Sequence, residues 1–285
     1  MFKNILIPVS SEFYSKEVLE RGVSLAEKFE SKINLIYIIE EKILNQTDKL
    51  SNSYRTPYEI AETKREIVRK QKLAANTIIF DDAEYYLKYK KIPFEGRIIE
   101  GEFSKVVKSE TQKNGYDLIL MGYEKECILN YRLLDEINIP IWLVTESEGK
   151  SILAVCSNLA PNQKVPEMSL KLSVALGWDL QMLYVVDTED CVQVNEDCIR
   201  SDVKSERDLL FKGQKFVQKM EKLEVESELV MGSLEKETTK AAERIKPRLI
   251  IVGREQKKKG LLGLPVKNVK RKLAEKCEYS ILFVN

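Results

Sequence analysis

The residues with the most chemical potential in this sequence are four glycines and what surrounds them. Gly101 and Gly122 are separated by 21 residues, and so are Gly232 and Gly253. Each pair brackets one pattern: an apolar run ending in Gly, a helix-forming stretch, then a second apolar run ending in Gly. Ile98-Ile-Glu-Gly101 leads to Asp117-Leu-Ile-Leu-Met-Gly122, and Leu229-Val-Met-Gly232 leads to Arg248-Leu-Ile-Ile-Val-Gly253. Glycine at a strand end lets backbone N–H groups approach an anion at a helix N-terminus. Tight strand exits are the expected role of Gly101 and Gly232, which leaves Gly253 and the stretch after it as the place to look for phosphate binding. Basic residues follow the last of the four: Arg254, Lys257, Lys258, Lys259, then Gly260, Gly263, Lys267 and Asn268.

Other chemistries are poorly served. The chain has no His, which removes the commonest general base and transition-metal ligand. Its five Cys, at 127, 156, 191, 198 and 277, form no CxxC pair and read as reduced cytosolic thiols. Cys156 closes an apolar run, where a small buried filler is the expected role. The net charge of +1 gives no global attraction to nucleic acid or membranes. Lys267 to Lys272 lacks aromatic interleaving and reads as a solvated helix face. No apolar run approaches the roughly 20 residues that span a bilayer. Met1-Phe-Lys-Asn-Ile5 has no signal-peptide layout. A cytoplasmic protein with neither membrane nor nucleic-acid partner is expected.

The elements that must position the glycines alternate strand and helix. Ile5-Leu-Ile-Pro-Val9 is a short apolar run, as for a strand buried on both faces. Val18, Leu19, Gly22, Val23, Ala26 and Phe29 recur at helical spacing. Ile33 to Ile39 is the next strand, and the three make a parallel strand–helix–strand opening. Glu40 to Pro57 reads as an irregular loop and Tyr58 to Lys91 as mostly helical. Phe94 to Glu100 is a strand, and Pro140-Ile-Trp-Leu-Val144 closes the half. The polar stretch Thr145 to Lys150 marks the boundary between domains at 1–146 and 147–285.

The second half repeats this order. Ser151 to Val155 answers Ile5 to Val9, which places Cys156 opposite Ser10. Leu180 to Asp187 answers Ile33 to Glu40, with Tyr184 matching Tyr37. Ser280 to Val284 answers Pro140 to Val144. The kept order marks an internal duplication. From Gly122 to Pro140 is 18 residues, but from Gly253 to Ser280 is 27.

The opening Ile5-Leu-Ile-Pro-Val9, the Asp117-Leu-Ile-Leu-Met-Gly122 unit and the closing Pro140 to Val144 strand resemble the universal stress protein family in tandem form. That resemblance implies two α/β domains, each a five-stranded parallel sheet of the Rossmann-like, adenine-nucleotide alpha-hydrolase-like kind. The halves would pair through their last strands as an intramolecular pseudo-dimer, with homodimers and a protein partner as further assemblies. Nucleotide-binding members carry an acidic residue after the first strand and a Gly-x-x-Gly turn after the fourth. Here Ser10 and Cys156 stand at the acidic position, and Gly122 is followed by Tyr123, Glu124 and Lys125. The first half thus reads as having lost its phosphate loop. In the second half the candidate nucleotide contacts are Cys156, Val186, Gly253, Arg254, Lys259, Gly260, Lys267 and Asn268. The expected function is a non-catalytic stress-response binding or signalling module. Two alternatives stand beside it: an ATP- or AMP-binding switch using only the second half, and an interaction scaffold built on Glu40 to Lys91.

Overall fold

The computed structural model describes residues 1–10, 15–40, 56–75, 80–122, 132–159, 164–189, 204–253, 273–274 and 278–284. The chain divides into two compact units, Met1–Ile137 and Asn138–Asn285.

In the first unit, β1 (Asn4–Val9), α1 (Lys16–Phe29) and β2 (Lys32–Glu40) come first. Then follow α2 (Pro57–Ala74), α3 (Asp81–Tyr89), β3 (Phe94–Gly101), α4 (Phe103–Lys113), β4 (Leu118–Gly122) and α5 (Arg132–Glu136). The strands run in the order β3-β2-β1-β4, all parallel. Ile5 lies opposite both Ile33 and Leu118. Every residue of β4 is buried, which explains its unbroken apolar run: helices cover both faces of a parallel sheet. Helix α1 buries Val18, Leu19, Gly22, Val23 and Ala26 of the stripe read from the sequence and leaves its last member, Phe29, half-buried. Helix α2 starts on a capping box, Thr56 N–H donating to the Glu59 carboxylate at 2.7 Å and Glu59 N–H to Thr56 Oγ1 at 3.4 Å.

Asp117, the first residue of the repeated motif, turns out to hold the sheet. Its Oδ2 accepts from Lys3 N–H at 2.8 Å and from Asn4 N–H at 2.9 Å, and its own N–H donates to Asn4 O at 2.9 Å. It locks β4 beside β1 at the end away from any strand-end ligand. In the second unit Arg248 takes its place. Its N–H donates to Ser151 O at 3.0 Å, and its guanidinium lies 5.2 Å from the Trp178 ring centroid.

The second unit holds β5 (Ile141–Val144), β6 (Ser151–Ser157), α6 (Lys164–Leu176), β7 (Asp179–Asp187) and α7 (Glu206–Glu221). It continues through β8 (Glu226–Gly232), α8 (Leu234–Ile245), β9 (Leu249–Gly253) and β10 (Ser280–Val284). Its strand order is β5-β10-β9-β6-β7-β8, with β5 antiparallel to β10 and every other pair parallel. Thus β5, the closing strand of the first sequence repeat, packs within the second compact unit. Trp142 stands opposite Leu282, and both are fully buried. Thr145 continues the link: its N–H donates to Ser280 Oγ at 3.1 Å and its hydroxyl to Glu278 O at 3.1 Å.

The four glycines play two different parts. Gly101 and Gly232 have φ of 154° and 151°, a backbone region that residues with a Cβ rarely enter. A Cβ on Gly101 would meet Val106 Cγ2 at 2.8 Å, and one on Gly232 would meet the Glu237 side chain at 3.0 Å. They are tight exits from β3 and β8. Gly122 and Gly253 end fully buried strands.

Candidate functional site

In open parallel sheets ligands lie beyond the C-terminal strand ends. In the first unit those ends are Ser10, Glu40, Gly101 and Gly122. Ser10 is fully buried and Glu40 nearly so. The start of α1 packs directly onto Gly122: a Cβ there would stand 3.2 Å from Val18 Cγ2 and 3.4 Å from Ser15 Cβ. The loop that follows, Tyr123 to Lys125 with Glu126, lies outside the described residues.

In the second unit the strand ends are built differently from expectation. Val9 is in register with Tyr37, and Cys156 is in register with Tyr184. Because Tyr37 and Tyr184 correspond, Cys156 is the counterpart of Val9, and Ser157 is the counterpart of Ser10. The expected match of Cys156 to Ser10 is therefore off by one residue. The apolar run Ile152-Leu-Ala-Val-Cys156 lacks the Pro that marks β1, so nothing in the run itself fixes its phase; its pairing to β7 does. Cys156 lies inside β6, and complete burial pushes its thiol well above the usual range. It stays protonated and fills space.

Among the other candidates, Gly253 closes β9 one residue beyond Val252, which pairs with Val155. Val186 is fully buried and in register with Met231. The structure thus brings Cys156, Gly253 and Val186 to neighbouring strand ends. Arg254, Lys259, Gly260, Lys267 and Asn268 lie outside the described residues, as do Cys127, Cys191, Cys198 and Cys277.

A polar chain absent from the sequence reading crosses these ends. Asn158, just past β6, brackets the last residue of β7. Its Oδ1 accepts from Asp187 N–H at 2.6 Å, and its Nδ2 donates to Asp187 O at 3.2 Å. The Asp187 side chain then turns to the next helix. Oδ2 accepts from Leu234 N–H, the first amide of α8, at 2.8 Å, and Oδ1 accepts from Glu189 N–H at 3.0 Å. A helix begins with amides that have no intrahelical acceptor and with partial positive charge. Ser233, the residue before α8, makes no side-chain cap, so Asp187 supplies the anion from the end of the neighbouring strand β7. Asn158, Asp187 and Ser157 are all nearly or fully buried. One signal did foreshadow this: both copies of the strand close on an acid, Glu40 and Asp187.

Among the described residues no group of three or more His, Cys, Asp or Glu side chains could hold a metal ion. No helix among them is long and apolar enough to cross a membrane.

Comparison with known proteins agrees with this geometry. Residues 1–134 match the model of the Universal stress protein family. No curated protein sequence matches the chain. Among solved structures, a putative universal stress protein from Pseudomonas aeruginosa UCBPP-PA14 superposes with a TM-score of 0.68 at 11% identity. The match covers 99% of this chain and 93% of that one. A functionally unknown protein from Pseudomonas aeruginosa PAO1 gives 0.66 at 12% identity over 99% and 92%. A universal stress protein from Archaeoglobus fulgidus DSM 4304 gives 0.62 at 12% identity over 99% and 96%. At such identities the likeness is one of fold, and it extends along both halves. Residues 1–134 thus match the universal stress protein family by sequence, and over the whole chain the likeness to these solved structures is one of fold.

Proposed function

We propose that this chain is a non-catalytic stress-response binding module whose strand-end crevices have given up or altered nucleotide binding. The single observation that carries the reading is the Asn158–Asp187–Leu234 chain. A nucleotide phosphate is drawn to helix amides and strand-end backbone. In the second unit a buried carboxylate of the protein already holds the first amide of α8, and an amide side chain already holds the Asp187 backbone. An incoming phosphate would meet like charge there. Among the described residues, the buried, protonated Cys156 offers no nucleophile at these ends, and the chain has no His to act as a base. The sequence repeats at 1–146 and 147–285 are the domains of this reading, with β5 given by the first repeat to the compact second unit. Signalling would then run through a protein partner in the cytoplasm.

Calorimetric titration of the full chain with ATP and with AMP, in the presence of magnesium, tests this. The expected result is no binding heat, no thermal shift and no phosphate release. Micromolar affinity that disappears in Lys267→Glu would instead establish a nucleotide switch in the second half.

A further inference from the structure

The two units also differ at the other end of their sheets. Counted on from Gly101 and Gly232, the helix residues Glu110 and Ala241 are equivalent, as are Tyr116 and Pro247, and the strand residues Arg97 and Glu228. In the first unit those residues form a plug. Arg97 Nη2 donates to the Glu110 carboxylate at 2.7 Å and lies 3.2 Å from the Tyr116 hydroxyl, and Asn114 Nδ2 donates to Glu110 at 3.0 Å. Glu110 and Tyr116 are both buried. In the second unit Ala241 and Pro247 are too small to reach across, and the arginine has become an acid. A cleft of about 510 Å³ opens there, between α8 and the N-terminal halves of β6, β7 and β8. It lies at the opposite end of these strands from Asp187.

The cleft has a built interior. Leu153, Leu183, Ala241 and Ile245 give it an apolar floor, and of these Leu153, Leu183 and Ala241 are buried. Its walls carry Asp179, Glu226 and Glu228 against one cation, Arg244. Arg244 pairs with Glu228, and Gln181 Nε2 donates to Glu226 at 2.8 Å. Three carboxylates against one guanidinium leave the cleft with a surplus of two negative charges. A volume of this size falls in the range of small-molecule sites, which combine apolar lining with a few placed polar groups.

We propose that this cleft binds an aliphatic amine carrying two or more positive charges. Its methylene chain would lie on Leu153, Leu183 and Ile245, and its ammonium groups would pair with Glu226 and Asp179. An anion such as a nucleotide is disfavoured by the same carboxylates. The lone cation does not offset them, because Glu228 already neutralises it. The first unit cannot take the same ligand, since Arg97, Glu110 and Tyr116 occupy the equivalent space.

The test is calorimetric titration of the full chain with spermidine at about 0.1 M salt, where surface charges are largely screened. Saturable one-site binding is expected in the wild type. Glu226→Gln, on the exposed rim, should weaken it about tenfold, and Ala241→Phe, which fills the floor, should abolish it. Neutral 1,8-octanediol and AMP should not bind. Should Ala241→Phe fail to fold, spermidine-induced shifts of the Leu183 and Ile245 methyl resonances in the wild type take its place. No saturable heat, undiminished affinity in Glu226→Gln, or binding of the diol as tight as the amine would overturn the proposal. Methyl shifts confined to other residues would overturn it too.

Discussion

Asp187→Ala should lower the stability of the second unit by about 3 kcal/mol, measured as the shift in urea midpoint at constant slope. The substitution removes the acceptor of two hydrogen bonds, from Leu234 N–H and Glu189 N–H. It also leaves the first amide of α8 facing a buried, uncompensated space. Hydrogen bonds to charged groups contribute about 1.5–3 kcal/mol each, and an orphaned buried donor carries its own desolvation penalty. Loss of negative charge at the helix N-terminus acts in the same direction. Asp187→Asn keeps one carbonyl oxygen for Leu234 and should recover about half of the loss. If Asp187→Ala changed stability by less than about 0.5 kcal/mol, the carboxylate would not be holding the helix. The strand-end chain would then be incidental.

The second large effect belongs to β5. Trp142 is fully buried in a four-residue strand, opposite Leu282 of β10. Truncating a buried Trp to Ala typically costs about 3–5 kcal/mol, the lost transfer energy plus the cavity left behind. Trp142→Ala is expected to fall in that range by urea denaturation. Trp142→Phe, which keeps most of the buried surface, should cost less than half as much. Equal losses for the two variants would mean that the ring's bulk is not what the strand contributes. The prediction bears on function because β5 links the end of one sequence repeat to the sheet of the other compact unit.

The fold was largely legible because the physics that writes it is periodic. Buried parallel strands demand continuous apolar runs, and Ile5 to Val9, Leu118 to Met121 and Leu249 to Val252 supplied them. The glycine pairs repeated at one interval because the chain must leave β3 and β8 at a φ that only glycine takes easily. Phase was harder. The sequence alone aligns Cys156 with Ser10, because an apolar run of residues similar in size does not announce its register, which pairing to β7 decides. The roles of Asp117, Asn158 and Asp187 were not legible, since each acts on residues distant in sequence. Asp117 reaches Lys3 and Asn4, and Asp187 reaches Leu234. The open cleft was within reach. Counted from Gly101 and Gly232, Glu110 of α4 gives way to Ala241 of α8, and Tyr116 in the turn after α4 gives way to Pro247, a loss of volume and charge that local patterning alone does not flag. The candidate contacts from Arg254 to Asn268 rest on sequence and lie outside the described residues.

Amide exchange at Leu234, followed by NMR in the full chain with and without millimolar ATP, tests the central claim most directly. The bond from Leu234 N–H to Asp187 predicts strong protection that ATP leaves unchanged. Rapid exchange of this amide, or a protection that ATP alters, would show that the end of α8 is free for a nucleotide and contradict the account.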